Sequence, residues 1–169
     1  MFGLSGCAFR FGNVVGPRQT HGVGFDFARR LLQEPSGQVS GAGYRRVPLR
    51  ILGDGTQSKS YIHVSDVVRA VLTAHVQTAQ PFQTYNVATG DYITVTEIAH
   101  IAVACLGLAP EQVEYQYTGG DRGWKGDVPV VRLNTDRIQT TGWRCERSSA
   151  EALRQSILAM LPDLKAGRM

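Results

Sequence analysis

LRILGDGTQSKSYIHVSDVV, from Leu49 to Val68, is the stretch around which the rest of the chain is arranged. Leu49 to Leu52 is a short β-prone run. Gly53-Asp54-Gly55-Thr56 follows as a tight turn, because Asp-Gly tolerates the positive φ of two-residue hairpin turns. Gln57 to Val64 is expected to return as a second strand ending in Tyr61-Ile62-His63-Val64. Ser65 is then placed to cap a helix that Asp66 favours with its charge in the first turn. Lys59 and Tyr61 are two residues apart and so project from one strand face. A cation and a phenol beside open backbone suit a nucleotide diphosphate, and equally a surface hairpin.

With 169 residues the chain is one domain of ordinary size or a piece of a larger one. At 43% hydrophobic and 19% charged it can bury a core and is not disordered. No apolar run reaches the length of a membrane span. Cys7, Cys105 and Cys145 are odd in number and lack a CxxC pair, which fits reduced cytoplasmic thiols rather than a disulfide framework or zinc site. His21, His75 and His100 have no ligand spacing, so no metal is expected. The net charge of +4 suits an anionic small ligand, although on this feature alone ordinary solubility charge is the favoured reading; no Lys/Arg block marks nucleic-acid binding.

Along the chain, Ser5 to Phe9 reads as a strand buried on both faces of a parallel sheet. It runs into Arg10-Phe11-Gly12-Asn13-Val14-Val15-Gly16-Pro17, whose polar residues stand at the strand's carboxyl end, where open α/β sheets bind ligands. Phe25 to Gln33 is expected to be helical on Phe25, Ala28, Leu31 and Leu32, and Glu34 to Arg46 a Gly/Ser-rich loop. Ser65 to Val76 reads as an amphipathic helix with Val67, Val71 and Ala74 inward. Thr84 to Ala88 reads as a strand. Thr94-Val95-Thr96-Glu97 and Ser148-Ser149-Ala150-Glu151 are capping boxes. The first opens a helix carrying Ile98, Ile101, Ala102 and Cys105, ended by Gly107. The second opens one carrying Leu153, Ile157, Met160 and Leu161. Val113 to Tyr117 alternates as a strand does, Val128 to Leu133 reads as a short extended piece, and Asn134 to Thr141 as a short helix. His63 reads as a structural histidine, and Trp124 and Trp143 as packing anchors.

These residues carry a resemblance. Arg10 to Pro17, Leu49 to Asp66, Tyr85-Asn86-Val87 with Thr94 to Ile98, and Gly119 to Pro129 with Asn134 and Gly142-Trp143 stand in one order over nearly the whole chain. The sequence resembles the C-terminal part of the extended short-chain dehydrogenase/reductase family, the NAD-dependent epimerases and dehydratases of nucleotide sugars, and most of all its UDP-glucose 4-epimerase-like branch. The resemblance implies an α/β fold: the C-terminal half of a Rossmann-type enzyme, with the last sheet strands and a small α/β substrate-binding domain. Residues 1–20 would be the tail of the NAD-binding domain and 21–169 mainly the nucleotide-sugar domain.

Residue by residue, it implies that Phe11 lines the nicotinamide side of the NAD pocket and that Asn13 reaches the sugar nucleotide near its diphosphate. The strand ending at Leu52 meets the base with its backbone. Lys59 stands where the family more often has Arg and contacts the nucleotide, with Tyr61 the aromatic beside it. Arg122 neutralises the diphosphate, and Asp127 binds ribose or orients its loop. Taken without the resemblance, Lys59 is a solvated edge charge, Tyr61 a half-buried aromatic, and Arg122 and Asp127 a surface pair.

The departures are equally definite. The sequence has no Gly-rich phosphate loop after a first strand. No Tyr is followed four residues later by Lys, the pair the family uses as acid/base. A Rossmann half is therefore expected to be missing before Met1, leaving the chain with no catalytic residues, inactive alone, and open to homodimer formation through an exposed strand edge. The expected activity at family level is NAD-dependent epimerisation of a UDP-linked sugar. The alternatives are a non-catalytic nucleotide-sugar-binding fragment and a dehydratase or reductase of the same family. Neither nucleic acid nor membrane is expected as a partner.

Overall fold

The computed structural model describes residues 5–33, 46–77, 81–123, 126 and 131–169. The expected loop from Glu34 to Arg46, all but its last residue, lies outside them. So do Trp124, Asp127 and the first part of the extended piece at Val128 to Leu133. The strands are β1 (Gly6–Phe11), β2 (Asn13–Val15), β3 (Val47–Ile51), β4 (Ser58–Lys59), β5 (Tyr61–His63), β6 (Phe82–Val87), β7 (Ile93–Thr94) and β8 (Val113–Tyr117). The helices are α1 (Val23–Gln33), α2 (Val64–Gln77), α3 (Val95–Cys105), α4 (Asp136–Gln139) and α5 (Ser149–Lys165).

Among the described residues the strands pair two by two. β1 runs parallel to β6, β2 to β5 and β3 to β8, while β4 is antiparallel to β7. This corrects the hairpin expected at Gly53 to Thr56. The turn is real, with Gly53 and Gly55 at φ +80° and +83°, where a side chain is strained. Yet it does not fold β3 back on β4. Gly53 bridges to Gly119 instead, and β3 takes β8 as its partner through Leu49 opposite Tyr115. Turn chemistry is local, but the choice of strand partner follows from which apolar faces pack together.

The larger core lies between α1, α3 and α5 and the β3–β8 pair. Phe25, Ala28 and Leu31 meet Ile98 and Ala102 of α3, Leu153 and Ile157 of α5, and Leu49 and Ile51 of β3. A smaller core gathers Ile62, Val67, Ala70, Ala74, Tyr85, Val87, Ile138 and Trp143, with Cys7 and Phe9 against it. Trp143 anchors it by donating from Nε1 to the Asp66 carbonyl at 3.2 Å. The Asp66 carboxylate, 1% exposed, accepts from Arg69 at 2.6 Å and Arg147 at 3.0 Å, tying α2 to the segment before α5.

Both capping boxes form: the Thr94 and Ser148 hydroxyls accept from the backbone of Glu97 and Glu151, whose carboxylates return to the cap N–H groups. Gly107 ends α3 at φ +74°. Three further expectations need correction. Ser65 is not the cap of α2: the helix begins at Val64, and the Ser65 N–H donates to the His63 Nδ1. β1 is not buried on both faces; Cys7 and Phe9 pack on the smaller core, while Gly6, Ala8 and Arg10 face out. A short apolar run looks the same in sequence whether one face or two will be covered. Val71 is only half-buried, and Ala70 takes its expected place inside.

Candidate functional site

A cleft of about 610 Å³ opens where β2, β4 and β5 meet α1 and the end of β3. Asn13, Leu52, Lys59 and Tyr61 all line it. The parallel register of β2 and β5 sets Asn13 opposite Tyr61 and so brings residues 48 positions apart to one wall. The Asn13 backbone N–H and its Nδ2 both donate to the Ser60 carbonyl, at 3.1 and 3.0 Å. The side chain is thereby held in one orientation, its Oδ1 acceptor left over.

Two cations that spacing did not single out also line the cleft, Arg30 of α1 and Arg50 of β3, with Arg30 Nη1 donating to the Arg50 carbonyl at 3.0 Å. Arg50 alternates with buried Leu49 and Ile51 and so faces out of the core. That alternation was legible; that its outward face lines the same cleft as Lys59 was not. With Lys59 they give the cleft three cations, with Asp26 as an acid at its edge. Such a surface attracts a polyanion such as a diphosphate, which carries about two negative charges.

The walls are fixed from behind by a hydroxyl network the sequence did not announce. Ser149, fully buried at the start of α5, accepts the Tyr61 N–H at 3.0 Å and donates to Asp91 Oδ1 at 2.8 Å. Its Oγ lies 3.0 Å from Thr89 Oγ1, which lies 2.7 Å from Ser60 Oγ. The Gly53 to Thr56 turn joins two residues that line the cleft, Leu52 and Gln57. There Asp54 Oδ1 accepts from the Thr56 hydroxyl at 2.6 Å and its N–H at 2.9 Å, holding the Asp54 carboxyl below its usual range. A Cβ on Gly55 would fall 2.2 Å from Thr96 Oγ1, so the turn sits tight against α3.

The remaining expected residues lie elsewhere. Phe11 is exposed at the end of β1, its ring 6.1 Å from that of Phe9, and is not among the residues lining the cleft. Arg122 is exposed; its neighbour Gly123 lines the cleft, and its own carbonyl faces Gly53. Asp127 is outside the described residues. The three thiols are free, and burial raises each above its ordinary pKa, which favours the protonated form. No helix among the described residues is long and apolar enough to cross a membrane.

The arrangement of strands and helices is shared with known proteins. The sequence model of the NAD dependent epimerase/dehydratase family matches residues 1–88. The chain belongs to that family. It is 35% identical over 112 residues to a dTDP-4-dehydro-6-deoxy-D-allose reductase of Streptomyces sp, covering 66% of this chain and 31% of the reductase. It is 31% identical over 150 residues to a UDP-glucose 4-epimerase of Mycolicibacterium smegmatis, covering 86% of this chain and 42% of that protein. A UDP-glucose 4-epimerase from Thermotoga maritima, solved with UDP-glucose, shares the fold with a TM-score of 0.73 at 28% identity, over 96% of this chain and 48% of that one. This epimerase/dehydratase chain thus spans less than half the length of these relatives.

The family uses NAD. The residues of this chain do not by themselves fit it: among the described ones no glycine-rich turn joins a strand to a helix N-terminus, the device that holds a dinucleotide pyrophosphate.

Proposed function

We propose that this chain supplies the nucleotide grip of a UDP-glucose 4-epimerase-like enzyme. The observation that carries the reading is the convergence of Asn13, Lys59 and Tyr61 with Arg30 and Arg50 around one cleft. Lys59 and the two guanidiniums offer charge-assisted donors to a diphosphate, the strong class of hydrogen bond. Leu52 and the backbone around it offer a rim for the base. The part played by these residues is to hold the nucleotide in place while the sugar it carries is presented to the rest of the enzyme. Residues 1–20 would then be the end of the dinucleotide-binding domain and 21–169 the body of the substrate domain.

Calorimetry with UDP on the purified chain tests the reading. Micromolar binding is expected, weakened about 10- to 150-fold in Lys59→Ala, the loss of one charge-assisted hydrogen bond. Wild-type affinity in that variant would refute it. The chain alone is expected to leave UDP-glucose unchanged, since no Tyr-x-x-x-Lys pair is present. Formation of UDP-galactose by the purified chain would overturn that. A second reading, a reductase acting on a dTDP-linked sugar, is favoured by the 35% identity to the Streptomyces reductase. Competition between dTDP and UDP for the cleft separates the two.

A further inference from the structure

Gln57 follows the Gly53–Gly55 turn and precedes Lys59 by two residues. Its side chain lines the cleft yet is only 5% exposed. Both its Nε2 and its Oε1 are buried without a hydrogen-bond partner among the described residues. The other buried polar side chains of these walls are paired: Ser60 lies beside Thr89, and Ser149 donates to Asp91. An unpaired buried amide bears its full desolvation penalty, and native structures keep few of them. The amide lies over Gly53, where a Cβ would come within 1.7 Å of Nε2. The glycine therefore leaves the space that the amide occupies. The turn stores a donor and an acceptor beside the cleft that the fold itself does not use.

We infer that Gln57 is a specificity-determining residue that pairs with an adjacent donor and acceptor on the nucleotide held in this cleft, an inference that rests on the nucleotide reading above. The terminal torsion of a glutamine is broad, so a turn of the amide away from Gly53 presents both groups to the cleft without moving the backbone. A ligand with one planar donor–acceptor edge, or two neighbouring hydroxyls, satisfies both atoms at once. UDP carries both kinds: the imide edge of its base and the cis-diol of its ribose.

Calorimetry on the whole chain with UDP, N3-methyl-UDP and 2′-deoxy-UDP tests this, using the wild type, Gln57→Leu and Lys59→Ala. Gln57→Leu is expected to weaken UDP about 10- to 100-fold. It is also expected to lose the wild type's discrimination against one analogue. Loss against N3-methyl-UDP assigns the contact to the base, and loss against 2′-deoxy-UDP to the ribose. The same variant is expected to melt at or above the wild-type temperature, because leucine replaces an amide that has no partner in the free protein. A lower melting temperature with unchanged UDP affinity marks a merely structural glutamine and overturns the inference. Wild-type affinity in Gln57→Leu beside weakened affinity in Lys59→Ala overturns it too, and leaves the cleft reading standing. A wild-type chain that binds no UDP removes both.

Discussion

Ser149→Ala tests how the cleft is held in shape. Ser149 is fully buried, and its hydroxyl is the acceptor for the Tyr61 N–H at 3.0 Å and the donor to Asp91 Oδ1 at 2.8 Å. Removing it orphans the Tyr61 N–H, at about 1–3 kcal/mol, and deletes a hydrogen bond to a carboxylate, at about 1.5–3 kcal/mol. Asp91 is half-buried and keeps the Ser149 N–H at 3.0 Å, so the second term falls at its low end or below. The sum is about 3 kcal/mol. For a chain of this size each kcal/mol moves the melting temperature by about 2–4 °C, so a fall of about 6–12 °C is expected. The control is Ser148→Ala, which removes the cap hydroxyl of the same helix and costs about 1 kcal/mol, or about 2–4 °C. Thermal unfolding followed by far-ultraviolet circular dichroism measures both. UDP affinity measured below the transition should also fall in Ser149→Ala and hold in Ser148→Ala, because Ser149, unlike Ser148, bonds the Tyr61 N–H. If the two variants melt together, the buried network does not anchor the cleft and the reasoning is wrong.

Asp66→Asn leaves Arg69 and Arg147 without their buried carboxylate and should cost about 3 kcal/mol, the low end for breaking a buried pair because both guanidiniums reach solvent. A urea midpoint that moves by less than a third of that amount would count against the cluster as a clamp. Stability should fall with acid in two separate steps. His63 is held below its ordinary value of 6.5, first by burial and then by Arg147, and its neutral Nδ1 accepts the Ser65 N–H; its contribution is full above 6.5 and lost as pH falls toward the lower folded value. Glu97 and Glu151 are held low by the cap N–H groups of Thr94 and Ser148, so theirs is full above about 4.3 and lost as pH falls through the folded values. His63→Asn should erase the upper step alone; persistence of that step would assign it to another group. Gly55→Ala should destabilise strongly, since its Cβ would strike Thr96 and Tyr117 and its φ is +83°; a melting temperature within 2 °C of wild type, less than about 1 kcal/mol for this chain length, would show that the turn can move away from α3.

The sequence by itself determined what depends on neighbours a few residues away. Thr94 with Glu97 and Ser148 with Glu151 are reciprocal bonds across three positions, so both helix starts were readable, as were the inward stripe of α5 and the left-handed Gly107. The family was readable too, because its motifs are short runs in a fixed order. The tertiary structure alone decided everything that joins distant segments. Asp-Gly predicted a turn correctly and a hairpin wrongly, since β3 found its partner in β8, beyond two helices. Ser5 to Phe9 could have been covered on one face or both; β6 took an edge of the strand, and the packing of α2 covered one face. Asn13, Lys59 and Tyr61 were named from the chain, but Arg30, Arg50 and Gln57 joined them in one cleft, with Ser149 bracing it from behind, only when β2 paired with β5 and α5 packed against them. A hydroxyl or a guanidinium has no periodic signature of its own. Its role is set by what the fold brings within 3 Å of it, and that distance is not written in sequence separation.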